Sequence, residues 1–256
     1  MAITTRLALL TLASSRLWSQ IAVPPANPQP EPDRSVSWTK LVPNVLSDEK
    51  QIWTFPVKLA HGKHWIPAAA IVGATAGLIM LDPVTAPYFR RTSSFDGFNK
   101  VFSGNATEIG TIVAPVSLYA AGLIRKDSKM QSTALLAGEA VANAEILTTV
   151  MKDADRRLRP AALPANGGFS DTWFEDNTRI LRSNGSFPSG HTIAAFSVAT
   201  VVARRYGTQH RWVPYVAYGS AALVGFSRVS LSAHFVSDVF VGGALGYSIG
   251  RFAVLR

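Results

Sequence analysis

The chain reads as mostly helical, and three observations frame that reading. Six apolar segments, rich in Ala and Gly and mostly too long for strands, recur between polar loops. Charged residues make up only 16% of the chain and hydrophobic residues 48%, against roughly 25% charged in ordinary soluble domains. The third observation is length. At 256 residues the chain is one large domain or two small ones, long enough to bury a substantial core. This composition excludes disorder over most of the chain. The absence of cysteine excludes disulfides, thiolate metal sites, iron–sulfur clusters and a thiol nucleophile.

Taken in order, residues 1–19 read as a signal peptide. Arg6 begins it, 7–13 is a short apolar run, and a cleavage site is expected near Ser19. Arg16 lies close to that run, and the alternative is an uncleaved amphipathic helix. Residues 20–37 form a linker carrying Pro24, Pro25, Pro28, Pro30 and Pro32. A single domain is expected over 38–256, opening with a more polar stretch, 38–59, that forms a peripheral helix or two. The six apolar segments are 65–81, 109–124, 130–151, 191–203, 212–226 and 235–255. A loop over 160–188, rich in Gly, Asn and Pro, is expected to lie ordered over a site. No repeat of fixed period is visible.

A membrane span needs about 20 apolar residues, with a lower limit of about 17. The first two segments are borderline and the fifth is short. The third carries Glu139, Asn143 and Glu145, costly at membrane depth unless they face the bundle interior. Asp238 and Arg251 interrupt the sixth. There Gly242, Gly246 and Gly250 fall at i, i+4 and i+8, a smooth stripe that lets a neighbouring helix approach closely. A compact bundle of unusually apolar helices is the alternative.

The formal net charge is +9, which suits an anionic partner: nucleic acid, a membrane surface or a phosphorylated molecule. Three clusters pair cations with histidines. Lys152, Arg156 and Arg159 recur at i, i+4 and i+7 on one helical face, before the stop at Pro160. Pro188-Ser189-Gly190-His191 reads as a helix start, where backbone N–H groups bind anions and glycine allows close approach. Arg228 precedes His234 and Asp238, the last two at i, i+4, so that a carboxylate can fix the imidazole tautomer. Each cluster alone is more often structural. Together they suit a tetrahedral oxyanion, with one histidine to attack and one to protonate the leaving group. A metal site is disfavoured among so many Lys and Arg side chains, and a Walker-type loop is absent.

Lys152-x6-Arg159-Pro160, Pro188-Ser189-Gly190-His191 and Ser227-Arg228-x5-His234-x3-Asp238 resemble the three-part signature of the type 2 phosphatidic acid phosphatase (PAP2) superfamily. Bacterial acid phosphatases and vanadium haloperoxidases share that signature. The resemblance covers roughly 65–255 and implies a six-helix all-α core with the active site at one end. It implies His234 as nucleophile, forming a phosphohistidine, Asp238 orienting it, and His191 as general acid without an obvious acidic neighbour. Lys152, Arg159, Ser189, Gly190 and Arg228 would bind phosphate. No metal or cofactor is implied, and vanadate would inhibit. Arg156 and Arg157 fall outside the fixed positions and read as head-group contacts or surface.

The function expected is hydrolysis of a phosphate monoester or diphosphate of a lipid, in a membrane. The alternatives are a soluble periplasmic acid phosphatase of broad specificity and a haloperoxidase with vanadate as cofactor. Nucleic acid is disfavoured, because no stacking platform or recognition motif accompanies the charge. Phosphatidic acid, phosphatidylglycerol phosphate, undecaprenyl diphosphate and lipid A phosphate all fit. Arg125, Lys126, Lys129, Arg204, Arg205 and Arg211 mark the end opposite the motifs as cytoplasmic, so the site faces the periplasm. A cleaved signal peptide followed by six spans would reverse that orientation. An envelope location is the expectation.

Overall fold

The computed structural model describes residues 34–175 and 184–256. The signal-peptide reading and the linker up to residue 33 lie outside the described residues. Residues 35–256 form one compact unit. Among the described residues every element is helical and no strand is present. The helices are α1 (Leu41–Trp53), α2 (Phe55–Ala60), α3 (Trp65–Arg91), α4 (Asp96–Val101), α5 (Gly104–Ile124), α6 (Ser128–Asp155), α7 (Gly190–Tyr206), α8 (Val213–Ser230) and α9 (Val236–Ser248). A π-helical turn, Ile249–Val254, continues α9.

Each apolar segment lies in a long helix, often longer than hydropathy alone indicates. The first extends ten residues past Leu81, through Pro83 and Pro87, because Asp82 turns into the bundle rather than ending the helix. Local caps set other boundaries. Ser103 Oγ accepts from Ala106 N at 3.2 Å to start α5, and Asp127 Oδ1 accepts from Met130 N at 3.0 Å to start α6. The short α4 was not foreseen from the sequence.

The six long helices are not equivalent. α7 is central and packs against α6, α8 and α9. Leu136, Ala137, Ala140, Ala144 and Leu147 of α6 meet Ile193, Ala194 and Val201 of α7 and Ile249 and Val254 of the π turn. The glycine stripe works as expected. A Cβ at Gly246 would stand 2.3 Å from the Ile193 carbonyl oxygen, and one at Gly242 would stand 2.9 Å from that of Ser189. α3 and α5 instead lie at the periphery with apolar faces outward: Val72, Met80 and Val84 on α3, and Ile109, Val116 and Ile124 on α5, are all exposed. α3, α5 and α6 are long and apolar enough to cross a membrane, and these outward faces are those of a membrane-associated protein.

α1 has the reverse polarity of an ordinary surface helix: Asp48 and Glu49 are buried while Val42 and Leu46 are exposed. Its polar face meets the carboxylate and amide of α6. Asp48 Oδ2 accepts from Asn143 Nδ2 at 3.1 Å, and Asn44 Nδ2 donates to Glu139 Oε1 at 2.7 Å. Thus Glu139 and Asn143 face inward, whereas Glu145 is exposed.

The loops opposite the motifs adjoin, since Lys129 Nζ donates to Gln209 Oε1 at 2.9 Å. Arg205 is not a surface cation there. It is buried, and its guanidinium bonds Thr133 Oγ1 at 2.6 Å and Ser132 Oγ at 2.7 Å, tying α7 to α6.

Candidate active site

The three motifs converge at one end of the bundle. Lys152 stands buried in the last turn of α6. The helix then ends at Asp155, five residues before Pro160, because Arg156 adopts a left-handed conformation with φ of 44°. The expected helical face of Lys152, Arg156 and Arg159 is therefore broken. Arg156 is exposed, and the reversal turns Arg157 inward instead.

Arg157 corrects the sequence reading most sharply. It is neither a head-group contact nor surface, but one of the largest fully buried side chains among the described residues. Nη1 donates to Asp238 Oδ1 at 2.6 Å, Nη2 to Asp82 Oδ2 at 2.7 Å, and Nε to Thr172 Oγ1 at 3.2 Å. The guanidinium lies between the rings of Trp173 and Phe235, 4.4 and 4.0 Å from their centroids. Arginine fits this place because its planar fork holds two carboxylates while its faces stack on aromatic rings. The 160–188 loop is held over this network at its described ends. Leu158 N donates to Thr172 O and Ser186 N to Arg157 O, both at 2.7 Å.

His234 is buried in the turn between α8 and α9, where its N–H bonds Arg228 O at 3.1 Å. Its Nδ1 bonds the carbonyl oxygen of Ser186 at 2.6 Å and lies 3.6 Å from Asp238 Oδ2. The shorter contact of the ring nitrogen is thus to a backbone carbonyl, with the Asp238 carboxylate beside it. Asp238 Oδ2 is already engaged by Ser186 Oγ at 2.5 Å and Phe235 N at 2.8 Å. Asp238 holds Ser186 and adds negative charge beside the ring. Bonding at Nδ1 places the donor proton there and leaves Nε2 its lone pair. Burial, with Lys152 and Arg159 nearby, pulls the His234 pKa down to about 4 against the opposing pull of Asp238. The imidazole is neutral at physiological pH.

α7 begins at Gly190 with Ser189 as its N-cap, as the sequence indicates. Ser189 Oγ does not cap the helix but pairs with Thr192 Oγ1 at 2.8 Å. Gly190 has a packing reason to be glycine, since a Cβ would stand 2.8 Å from Thr148 Cγ2 on α6. Its N–H and that of His191 lie in the first helical turn, where no intrahelical acceptor exists.

His191 is partly exposed at the mouth of the site. Its acidic neighbour was missed: Glu108 Oε2 of α5 lies 3.9 Å from His191 Nε2. Burial, then the charge of Arg228, lowers the His191 pKa to about 4. Arg228 is buried, its Nη2 donating to Phe102 O and Ser227 Oγ, both at 2.8 Å. Arg159 Nε donates to Asn184 O at 3.0 Å. Lys152, Arg159 and Arg228 thus stand within electrostatic reach of the two histidines. Among the described residues no group of three His, Asp or Glu side chains is placed to hold a metal ion.

The PAP2 superfamily model matches residues 133–256, which include every one of these motif residues. The likeness to the PAP2 superfamily thus covers just under half of the chain. The PAP2 region has named relatives. The chain is 40% identical over 66 residues to lipid A 1-phosphatase of Porphyromonas gingivalis, covering 26% of this chain and 15% of that protein. It is 34% identical over 108 residues to phosphatidylglycerophosphatase B of Bacillus subtilis, covering 40% of this chain and 46% of that protein. The chain thus spans less than half the length of these curated relatives. A crystal structure of a transmembrane PAP2-type phosphatidylglycerolphosphate phosphatase from Bacillus subtilis aligns with 79% of this chain and 92% of its own, with a TM-score of 0.45 and 24% identity.

Proposed function

We propose that the protein hydrolyses a phosphate monoester or diphosphate of a lipid through a phosphohistidine on His234. The observation that carries this reading is the buried His234, its Nδ1 engaged by Ser186 O and its Nε2 available beside three cationic side chains. Lys152, Arg159, Arg228 and the first-turn N–H groups of α7, with Ser189 and Gly190, would hold the phosphate oxygens.

Nε2 of His234 attacks phosphorus as the bond to the leaving oxygen breaks. His191 gives that oxygen a proton. Water then attacks the phosphohistidine, His191 takes a proton from it, and inorganic phosphate leaves with His234 restored. A bound phosphate adds negative charge beside His191, and with Glu108 it favours the protonated imidazolium that the first step needs. Asp238 acts through Ser186 and through its charge, which stabilises positive charge on the His234 ring during attack.

No metal or cofactor takes part in this scheme, and vanadate inhibits by resembling the transferring phosphoryl group. Membrane attachment through α3, α5 and α6, with the motif end on the periplasmic side, fits the basic loops at the opposite end. The test is phosphate release from phosphatidic acid, phosphatidylglycerol phosphate, undecaprenyl diphosphate, lipid A phosphate and para-nitrophenyl phosphate in excess EDTA. Release from at least one lipid at an undiminished rate is expected. Complete loss, restored by Zn²⁺ or Mg²⁺, would overturn the scheme.

A further inference from the structure

A cavity of about 380 Å³ lies between α5, α7 and α8, within the size range of ligand pockets. Its walls are mainly small apolar residues, among them Ala106, Gly110 and Ala114 of α5, Ala195 and Ala199 of α7, and Ala221 of α8. The wall hydroxyls of Thr107 and Thr111 turn back onto carbonyls of their own helix. Apart from the Ser220 hydroxyl, the groove therefore presents hydrocarbon.

Its upper end is set by the site. Ala195 lies one helical turn below His191, and Val224, another wall residue, one turn below Arg228. From Ala195 to Val202 the groove runs about 10 Å along α7, at 1.5 Å per residue. A cationic site one helical turn from an apolar slot fits an amphiphile with its charge at the phosphate site.

We infer that this groove holds the aliphatic chain of the lipid phosphate, and that Gly110 keeps it open. This rests on the phosphatase reading and deepens it by assigning the chain a place. A Cβ at Gly110 would meet no atom within 4 Å, and the same holds for Gly73 on α3, which is not a groove residue. A leucine at Gly110 extends into the slot without a backbone clash, and both replacements improve helix propensity.

The experiment compares kcat/KM on dioleoyl phosphatidic acid in mixed micelles with that on para-nitrophenyl phosphate, for wild type, Gly110→Leu and Gly73→Leu. The lipid-to-nitrophenyl ratio is expected to fall about tenfold or more in Gly110→Leu, the scale on which pocket filling discriminates substrates, and to hold in Gly73→Leu. An unchanged ratio in Gly110→Leu, or an equal fall in both variants, would overturn the assignment. A second measurement is independent of turnover. Phosphatidic acid with a diazirine in its chain should label the 106–114 stretch of wild type, and unlabelled phosphatidic acid should displace it while diacylglycerol does not. Equal displacement by diacylglycerol would show a general lipid contact, and no labelling would show that something else covers the groove; either contradicts the inference. Labelling with this specificity in a protein that releases no phosphate would uphold the groove and defeat the phosphatase reading.

Discussion

α3 and α9 pack against each other, yet they follow opposite rules. A Cβ at Gly242 or Gly246 of α9 would stand within 3 Å of the backbone oxygen of Ser189 or Ile193, whereas Gly73 and Gly77 of α3 face open space. α9 carries Asp238 into the candidate site. α3 is apolar almost throughout and delivers a single buried carboxylate, Asp82, to the same network. The difference teaches that hydropathy identifies the peripheral apolar helix but says little about the one residue through which it reaches the charge network. Packing and charge, rather than apolar content, define the inner helix.

The largest expected effect separates the buried charge network from the apolar exterior. Arg157→Met leaves Asp82 and Asp238 without their shared cation, and breaking a buried pair costs about 3–5 kcal/mol. Thermal aggregation in detergent should show that loss, while Arg156→Ala should leave the transition within about 0.5 kcal/mol. Arg157→Met with Asp82→Asn should recover part of the stability, because one uncompensated carboxylate is removed. An Arg157→Met protein as stable as wild type would break the comparison.

His191→Asn should slow lipid phosphate hydrolysis by about 10²–10⁴-fold. The loss should shrink with para-nitrophenyl phosphate, whose leaving group needs little protonation. Equal losses on both substrates would mean that His191 positions phosphate without protonating the leaving group. Next in size, Gly246→Ala should cost about 1–3 kcal/mol through overpacking, whereas Gly73→Ala on α3 should be neutral or stabilising by up to about 1 kcal/mol. Similar behaviour of the two variants in a thermal assay would contradict the packing difference between α9 and α3.

The pH dependence follows from the lowered His234 pKa. Attack needs neutral imidazole, so kcat/KM should stay free of a His234 limb above about pH 4 and fall as pH drops through it. The stability sign is the same. An unfolded chain takes up a proton at this histidine near its ordinary pKa of about 6.5, and the folded protein does not until about 4. Stability is therefore lost as pH falls from about 6.5 towards 4. Thermal scans across that range should show the loss in wild type and a smaller one in His234→Asn.

How legible all this was in the sequence depended on the kind of signal. The long helices announced themselves through apolar length, and His191, His234 and Asp238 through fixed spacing. Arg157 was misread because one left-handed residue, Arg156, ends the helix early and changes which side chain points inward. Nothing local distinguishes those two arginines. Asp82 closes an apolar run, a position that looks like a helix end, and its partner Arg157 is far along the chain. Glu108 did leave a signal, as an acid at the edge of an apolar segment, but its pairing with His191 depends on how α5 packs on α7. The Ser186 carbonyl left none, since any residue supplies that group.

The most direct measurement traps the covalent intermediate. Protein mixed with a lipid phosphate substrate, quenched under alkaline conditions that preserve phosphohistidine and digested, should carry one phosphoryl group, on His234. His234→Asn should carry none and should lose at least about 10³-fold in turnover, as removal of a catalytic nucleophile does. A phosphoryl group found on His191, or full turnover by His234→Asn, would contradict the account.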